Sequence, residues 1–569
     1  NHGYDTTDYL TINAMFGTQE EFQLLVTELN TRGMHLILDG VFNHTSSDSI
    51  YFDRYSRYDD SLGACESLDS PYRDWYFFTD VPAGSGPCVG SDGTPNSATY
   101  QSWWGYDTLP VLNSANPEVR AFIWESDSSP EDTVAGHYML TADGWRLDVG
   151  GDVDPGTIID PNNDYWEGFR ETVKTVNPNG YIAGEEWGNA SSWLLGGEWD
   201  AVMNYQFSTA VLSLWRDTLF TDNDHAPGTS AGELTPLTPT QFDERIHNLM
   251  ERYNPESLQA MLNLFDSHDT NRALFMLDHN TNQNNPALYQ NPEYDWGFAI
   301  ERLKGAVAVQ MTMPGAPTIY YGDEVGLVGP VAYANGKWED DPYNRQPYPW
   351  LDESGTPYYT HLQTEAGQAV LRDYYTTLAT ARNAHPALRT GDYRTLLADD
   401  DLALYAYGRL LPGEDAAVVI INRSTSDQEV SLNLAGYLPI GANFSDIFTE
   451  EVYTVSATGE LLDVAVPANS GAVLVLTDET LAAPPAPITN LSISATTATT
   501  VDLAWSGEAD AYLVYRSYLT GGGYELVGQT SITTFTDTGL TPGQRVYYMV
   551  IAKDELTGLV SAPSNEVSA

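Results

Sequence analysis

The amino-acid sequence predicts an α/β fold, a parallel strand–helix barrel, followed by two all-β sandwiches. First, short apolar runs that end in polar residues alternate with amphipathic segments up to about residue 390. Second, the pattern changes after that point to short runs in which polar and apolar residues alternate. Third, LAAPPAP at 481–487 predicts a proline-stiffened linker. The predicted domains are therefore 1–389, 390–480 and 488–569.

The alternation begins with a segment of helical periodicity. Residues 18–32 place Phe22, Leu25, Val26 and Leu29 on one face, and Gly33 is a stop signal. Strands are predicted at 34–41, 144–149, 181–186, 201–205, 260–265 and 317–321, and further helices at 164–176, 241–252 and 298–312. Strands connected by helices run parallel, so we expect their carboxyl ends to meet at one end of the barrel.

Residues 45–115 interrupt this alternation with a stretch rich in aromatic residues and glycine. A structureless loop of that length is uncommon in a compact domain, so we expect a small inserted subdomain. The two cysteines of the chain, Cys65 and Cys88, both lie there. A disulfide that closes the segment and two unrelated thiols both agree with the sequence.

The last predicted domain, 488–569, has the strand pattern of a small sandwich. Trp505 lies in one alternating strand, and YLVYRS (512–517) and VYYMVIAKD (546–554) supply two more. This pattern resembles a fibronectin type III module, in which such aromatic residues pack between two sheets. The resemblance implies that these aromatic residues belong to a core rather than to a site.

The charge balance excludes one broad class of partner. The chain has 79 acidic and 25 basic residues, a formal net charge of −54. Such a surface repels phosphate backbones, so we expect no nucleic-acid partner. An acidic extracellular surface and adaptation to high salt both agree with this charge. We also expect no membrane span, because no apolar run is long enough.

Acidic segments follow four of the predicted strands. They are DGVFNH (39–44), GWRLDV (144–149), GEEW (184–187) and DSHD (266–269). An acid at a single strand end is more often a helix cap than a catalyst, by about three to one. Four such segments in consecutive strand–helix units are hard to explain by capping alone. The sequence therefore predicts a carboxylate-based site at this end of the barrel.

These segments resemble, in order and spacing, the sequence regions of the α-amylase family of glycoside hydrolases. DGVFNHTSSDSIYFDRY (39–55) and WWGYDTLPVLN (103–113) resemble its amylopullulanase and neopullulanase branch. The resemblance covers about residues 1–390 and implies a (β/α)8 barrel with the inserted subdomain. It also implies that the first strands of the barrel are lacking from this sequence. A second chain that supplies them and a fragment of a longer protein are both open.

The resemblance implies three catalytic residues: Asp148 as nucleophile, Glu185 as general acid/base and Asp269 as supporting carboxylate. Hydrolysis with retention needs one carboxylate to attack the anomeric carbon and one carboxylic acid to protonate the leaving oxygen. Arg146, two residues before Asp148 on the same strand face, can hold Asp148 ionised. Successive strand residues point to opposite faces, and the family pattern selects Glu185 over Glu186.

The resemblance also implies a set of substrate-binding side chains. They are His2, Tyr4, His44, Arg146, Trp187, His268 and Arg272. His44 and His268 are expected to donate hydrogen bonds to sugar hydroxyls, and Tyr4 to stack on the sugar that is cleaved. For Trp187, stacking on glucose beside the leaving group and packing in the barrel are equally open.

Calcium is the one cofactor that the resemblance implies. Asn43 matches a calcium ligand in many relatives, and its side-chain oxygen suits a hard cation. After the nucleophile, however, the chain has Gly151 and Asp152 where typical α-amylases carry Lys and His. That histidine usually lends a carbonyl to calcium, so Asn43 is the one ligand that the sequence identifies.

The function implied is that of a secreted or cell-surface endo-hydrolase of α-glucan polysaccharides or oligosaccharides. The expected targets are α-1,4 bonds in starch, glycogen or pullulan, with α-1,6 bonds as a further candidate. One alternative is a transglycosylase, which would pass the sugar from the same covalent intermediate to another sugar. Another is a non-catalytic α-glucan-binding protein, and the presence of all three carboxylates argues against it.

Overall fold

Six short parallel strands, separated by helices, form the centre of the first 390 residues. The computed structural model describes residues 2–79, 88–89, 93–95, 98–126, 128–154, 164–291, 293–355, 365–477 and 481–569. The strands are β1 (Ile37–Gly40), β2 (Gly144–Leu147), β3 (Tyr181–Gly184), β4 (Ala201–Val202), β5 (Leu262–Asn263) and β6 (Ala316–Pro317). β1 to β4 pair in chain order and β5 pairs with β6. A parallel bridge from Met203 to Leu262 connects the two groups.

Helices lie before, between and after these strands. They are α1 (Gln19–Thr31), α2 (Pro117–Ile123), α3 (Val134–Tyr138), α4 (Gly150–Val153), α5 (Tyr165–Val176), α6 (Tyr205–Leu214), α7 (Pro239–Arg252), α8 (Pro255–Ala260), α9 (Ala273–Met276), α10 (Gly297–Thr312), α11 (Glu365–Ala384) and α12 (Ala387–Thr390). α1 begins at a capping box in which Thr18 and Glu21 satisfy each other's backbone N–H groups. Within the described residues, none of the helices is both long and apolar enough to cross a membrane.

Three of the four apolar residues predicted to share a face of α1 are buried or half-buried, and the fourth is exposed. Val26 is buried, whereas Leu25 exposes 49% of its surface and Phe22 and Leu29 are half-buried. α1 leads into β1, which pairs only with β2 among the described strands. The apolar side of α1 therefore has little of the sheet to pack against.

The segment predicted as an inserted subdomain has its own aromatic core. Tyr51, Phe52, Trp75 and Tyr100 are buried in it. Short bridges such as Ser102 to Pro110 connect its loops, and two 3-10 turns lie at Arg73–Trp75 and Trp103–Gly105. Cys65 and Cys88 form a disulfide, with their Cα atoms 5.1 Å apart.

Antiparallel sheets follow the parallel strands. After the hairpin of β7 (Ala332–Ala334) and β8 (Lys337–Glu339), they contain β9 (Arg394–Asp399), β10 (Leu404–Leu411), β11 (Asp415–Asn422), β12 (Gln428–Asn433), β13 (Asn443–Asp446), β14 (Val452–Thr454), β15 (Glu460–Val466) and β16 (Ser470–Leu476). The main sheet has the order β14-β13-β16-β11-β10-β9, and β12 pairs with β15. A hydrogen bond of 2.6 Å joins the hydroxyls of Tyr407 and Thr312, so β10 lies against α10.

The final residues form two further sheets. Their strands are β17 (Ser492–Thr496), β18 (Thr500–Ala504), β19 (Ala511–Ser517), β20 (Glu525–Thr530), β21 (Thr534–Thr538), β22 (Tyr547–Lys553) and β23 (Val567–Ser568). The orders are β17-β18-β21 and β20-β19-β22-β23. Trp505 is 7% exposed and Tyr548 is fully buried, in agreement with a core role. The likeness to a fibronectin type III module stays a prediction.

Candidate active site

The ends of three neighbouring strands hold two of the predicted catalytic carboxylates side by side. Asp148 follows β2 by one residue and its N–H donates to the Gly40 carbonyl of β1 over 3.1 Å. Glu185 follows β3 by one residue and its N–H donates to the Leu147 carbonyl of β2 over 2.9 Å. The parallel ladder thus continues one step past each strand, which places both side chains at the carboxyl end of the sheet.

One guanidinium binds the carboxylates of this region together. Arg146 Nη1 lies 2.9 Å from Asp148 Oδ1 and 2.9 Å from Asp39 Oδ1. Arg146 Nη2 lies 2.8 Å from Glu185 Oε2, as an ion pair rather than an aligned hydrogen bond. Arg146, Asp148 and Glu185 are each no more than 8% exposed. Buried charges of this kind need partners, and here the single arginine serves three acids.

The backbone after Asp148 is strained in a way that serves Glu185. Val149 has φ 41° and ψ 44°, a left-handed conformation that a β-branched residue rarely adopts. In that conformation its N–H donates to Glu185 Oε2 over 2.8 Å. Trp187 Nε1 donates to the other oxygen, Oε1, over 3.1 Å. Both oxygens of Glu185 are therefore fixed, which orients its carboxyl group.

Asp269 lies in the loop that follows β5, against two basic side chains. His268 Nε2 is 3.1 Å from Asp269 Oδ2, and Arg345 Nη2 is 3.5 Å from Asp269 Oδ1. The Asp269 N–H donates to Ser267 Oγ over 3.0 Å. Burial raises the pKa of Asp269, and the nearby charge of Glu185 raises it further, so the third predicted carboxylate lies close enough to Glu185 to feel its charge.

Burial raises the pKa values of two of these acids, Asp148 and Asp269. The pKa of Asp148 is raised to about 7, first by burial and then by the nearby charge of Glu185, against the opposing effect of Arg146. Burial and Glu185 also hold the pKa of Asp269 well above its ordinary value. Like-charged carboxyls in one buried site cannot all ionise easily, so the cluster retains protons near neutral pH.

The N-terminal aromatic residues cover this cluster. The Tyr4 hydroxyl donates to Asp39 Oδ2 over 2.7 Å, and its ring stacks on His268 at 4.8 Å between centroids. The His2 ring is parallel to that of Tyr4 at 6.4 Å. His44 is buried and its Nε2 donates to the Tyr4 carbonyl over 3.0 Å, with Asn43 Nδ2 donating to His44 Nδ1. The structure therefore brings the four predicted substrate-binding residues of this region to the site: His2, Tyr4, His44 and His268. Both ring nitrogens of His44 already have partners within the protein.

His44 and His268 are neutral at physiological pH. Burial lowers the pKa of His44 to about 4. Burial and the charges of Arg146 and Arg345 lower the pKa of His268 to about 3. A neutral imidazole has one donor and one acceptor, so each ring can take part in a directional hydrogen bond without adding positive charge.

The pair of glutamates in GEEW separates as the strand alternation predicts. Glu185 faces Arg146, whereas Glu186 Oε1 accepts from the Gly188 N–H over 2.7 Å. Trp187 stacks on Tyr205 with ring centroids 3.6 Å apart. Trp187 therefore borders the site and is packed against Tyr205, and its stacking on glucose stays a prediction.

Arg272 is the predicted substrate residue that the structure places elsewhere. Its side chain is 1% exposed and donates to the backbone carbonyls of Asn344 and Tyr321. Its guanidinium also lies 3.9 Å from the centre of the Tyr320 ring and 3.5 Å from Asp323. This burial and these contacts favour a packing role for Arg272 over contact with a sugar.

Asn43 was predicted as a calcium ligand. Its side-chain amide faces His44, and its carbonyl accepts from the Leu112 N–H over 2.9 Å. In the part of the chain that the structure describes, no three His, Cys, Asp or Glu side chains gather as metal ligands would. Amide and backbone oxygens, which also bind calcium, are not among those side chains, so calcium at Asn43 stays a prediction, and no chemical step below depends on this ion.

Sequence reasoning missed Arg345, which lies between β8 and α11. Besides approaching Asp269, it donates from Nε to the His268 carbonyl over 3.1 Å and pairs with Asp341 at 2.8 Å. Arg345 is far from the acidic segments in the chain, in DPYNRQPYPW (341–350). A polar, proline-rich excursion after the last parallel strand was the available signal, since loops at that end of a barrel form its site.

Comparison with known proteins agrees with this geometry. Residues 1–391 match the family described as alpha amylase, catalytic domain. The chain is 35% identical over 586 residues to an amylopullulanase of Thermoanaerobacterium saccharolyticum, covering 98% of this chain and 41% of the relative. It is 31% identical over 423 residues to neopullulanase 2 of Thermoactinomyces vulgaris, covering 74% and 57%. The solved debranching enzyme of Nostoc punctiforme superposes with a TM-score of 0.62 and 27% identity over 83% and 82% of the two chains.

Parallel strands joined by helices, with polar residues gathered at their carboxyl ends, are typical of a class of α/β enzyme domains. Within that class, the chain belongs to the alpha-amylase family. It spans less than half of the length of the amylopullulanases that it matches.

Proposed function

We propose that this protein is a retaining endo-hydrolase of α-glucans that works through a covalent glycosyl–Asp148 intermediate. The observation that carries the proposal is the Arg146 guanidinium, which contacts Asp39, Asp148 and Glu185 at the ends of three adjacent strands. This arrangement supplies one oriented carboxylate and one nearby carboxyl group, the pair that retaining hydrolysis needs. Several relatives are named amylopullulanase, neopullulanase or cyclomaltodextrinase, which supports α-glucan as the substrate class.

In the first step, an Asp148 oxygen attacks the anomeric carbon while Glu185 gives its proton to the leaving glycosidic oxygen. The bond from Arg146 to Asp148 Oδ1 favours the ionised nucleophile. The raised pKa of Asp148 leaves a proton on the free site near neutral pH. The reaction requires Asp148 ionised and the proton on Glu185 when the sugar is bound.

In the second step, Glu185 takes a proton from water, and the resulting hydroxide attacks the anomeric carbon and releases Asp148. Asp269 would accept hydrogen bonds from sugar hydroxyls and stabilise the positive charge that develops on the ring. His268 holds Asp269 in place and is neutral, so it does not oppose that charge. Retention follows because two inversions take place on the same carbon.

For the bonds that are cleaved, we propose α-1,4 links in starch, glycogen or pullulan, with α-1,6 links as a second target. The mixed names of the relatives support this breadth, since they include both debranching enzymes and cyclomaltodextrinases. We also propose a (β/α)8 barrel of which six strands lie in this sequence. The parallel order of the strands supports it, and so does Ile37 on the edge strand β1, which is 37% exposed as expected where a neighbouring strand is lacking.

Location outside the cytoplasm is part of the proposal. The disulfide between Cys65 and Cys88 supports it, because disulfides persist in oxidising compartments. The net charge of −54 agrees with a soluble surface there. Calcium remains a prediction, and an unchanged Tm after treatment with EDTA would count against it.

The experiment is to incubate the purified protein with maltoheptaose and to follow the new reducing ends by proton NMR from the first seconds. The proposal expects α-configured ends first, which then mutarotate. Products that begin in the β configuration would exclude the retaining mechanism. Products longer than the substrate would favour the transglycosylase alternative, and Glu185→Gln, which lacks the proton donor, is the matched inactive control.

A further inference from the structure

Trp104 is the tryptophan of this chain that is most exposed to water. It exposes 82% of its surface, whereas Trp103 next to it is half-buried. A single exposed apolar side chain is common on protein surfaces and has no meaning by itself. Three further features of Trp104, namely its backbone conformation, its neighbours and its position, indicate a role in binding.

The backbone of Trp104 is in a conformation that tryptophan avoids. Its φ is 50° and its ψ is 21°, in the left-handed region, where glycine and asparagine are favoured. Such strain at a bulky residue costs free energy and persists where the surroundings impose it, which is common at ligand-binding sites. Here the strain turns a large apolar ring out into water rather than into a core.

Hydrogen bonds hold the turn that carries Trp104 in place. The Tyr106 N–H donates to the Trp103 carbonyl over 2.9 Å, and the Trp103 N–H donates to the Leu109 carbonyl over 3.0 Å. An antiparallel β-bridge between Ser102 and Pro110 joins the two ends of the turn. The backbone position from which the Trp104 side chain projects is therefore held by the turn.

The turn lies directly beside the candidate active site. The Trp103 ring stacks on His44 at 5.6 Å, and its Nε1 donates to Asp152 Oδ2 over 3.0 Å. Asp152 follows the nucleophile Asp148 by four residues, and His44 contacts Tyr4. Trp104 contacts the site through Trp103, and the centroids of the two rings lie 6.2 Å apart.

A second exposed ring extends the same surface. Tyr106 exposes 60% of its side chain, and its ring lies 6.3 Å from that of Trp103. We call Trp103, Trp104 and Tyr106 the aromatic platform. Its inner member touches the residues around the catalytic carboxylates and its outer members face solvent.

We propose that the aromatic platform is an outer glucan subsite, in which the Trp104 ring stacks on the apolar face of a glucose residue beyond the bond that is cleaved. This inference rests on the proposed function. A sugar ring offers a flat C–H face that buries against an aromatic ring, while its hydroxyls stay in water. An uncharged glucan is also compatible with the acidic surface of this chain, which would repel an anionic ligand.

The test compares a long and a short substrate in matched variants. For Trp104→Ala, the kcat/KM for maltoheptaose divided by that for maltotriose is expected to fall by about 10-fold, because only the long chain reaches the platform. Trp104→Phe, which keeps a flat ring, should recover most of that ratio. Leu68→Ala, at a 67% exposed residue of the same subdomain, should leave the ratio unchanged.

A binding and a stability measurement separate the possible explanations. Calorimetric titration of maltoheptaose into Glu185→Gln and into Glu185→Gln with Trp104→Ala, neither of which should cleave the sugar, should show the same loss of affinity. Trp104→Asn relieves the backbone strain, so its Tm should equal or exceed that of the wild type. The proposal is overturned if the ratio and the affinity do not change, or if both variants lower the Tm and weaken the two substrates equally.

Discussion

The end of the parallel sheet and the centre of the antiparallel sheet differ in what they bury. At the ends of β2 and β3, Arg146, Asp148 and Glu185 are buried charges, and Val149 is strained. In β11, the side chains of Asp415–Asn422 are all buried and mostly aliphatic, and the strand pairs on both sides with β10 and β16. Burial of charges destabilises the folded state, whereas burial of aliphatic side chains stabilises it.

This difference indicates where stability and chemistry reside. β11 follows every local rule for a central strand, with β-branched residues, a regular ladder and no buried charge at its middle. The strand ends around Arg146 break those rules, which is expected where a structure must hold reactive groups. Substitutions at the two places should therefore have opposite effects on activity and on stability.

The largest expected effect is on activity at the strand ends. Asp148→Asn removes the proposed nucleophile, so kcat should fall by about 10^4-fold or more while the fold persists. Hydrolysis of maltoheptaose and the circular dichroism spectrum of the same sample provide the two measurements. Asp59→Asn, at an exposed acid of the inserted subdomain, is the control and should keep full activity. Full activity of Asp148→Asn would contradict the assignment of the nucleophile.

The next effect is on stability in the antiparallel sheet. Ile420 is fully buried in β11, so Ile420→Ala should lower the free energy of unfolding by about 2–5 kcal/mol. Below the unfolding temperature its kcat/KM should match that of the wild type. Ile532→Ala, at a residue that is 62% exposed, should change neither property. A large fall in kcat/KM of the folded Ile420→Ala would show that the two regions are coupled.

A smaller effect concerns the pH dependence of stability at the strand ends. The pKa of Asp148 is raised to about 7 in the folded protein, above its ordinary value near 4, so the folded state binds a proton more tightly than the unfolded state. The stabilisation that this proton provides is present below pH 4 and is lost as the pH rises through about 7. As the pH rises from 5 to 8, the Tm of the wild type should therefore fall relative to the Tm of Asp148→Asn. A constant difference across this range would show that Asp148 does not titrate there.

The smallest effect is expected from the last two sheets. Deletion of 482–569 removes β17 to β23 and retains Leu481, which is buried with the preceding sheets. Contacts across this boundary include the Ile440 N–H donating to the Thr557 carbonyl, far from the carboxylates. Turnover of maltotriose by the shortened chain should stay within about two-fold of the full chain. A larger loss would give these sheets a part in the active site.

The sequence predicted the positions of the carboxylates well, because each follows a strand whose apolar run is easy to recognise. Asp148 and Glu185 each come one residue after a strand, where parallel strands must bring them together. Arg272 was misplaced, because closeness to Asp269 in sequence does not determine the direction of a long side chain. Arg345 was missed, because its contact with Asp269 joins segments far apart in the chain. Leu25 of α1 is exposed although Val26 beside it is buried, because periodicity shows which side is apolar and not whether a neighbour covers each residue on it.

The covalent intermediate on Asp148 is the central claim, and trapping it is the most direct test. The protein would be treated with a 5-fluoro-α-glucosyl fluoride, which forms the glycosyl–enzyme faster than it is hydrolysed, and then digested for mass spectrometry. The account predicts one added fluoroglucosyl unit on the peptide that contains Asp148, and no adduct in Asp148→Asn. An adduct on Glu185 or Asp269, or rapid turnover with no adduct on any peptide, would contradict it.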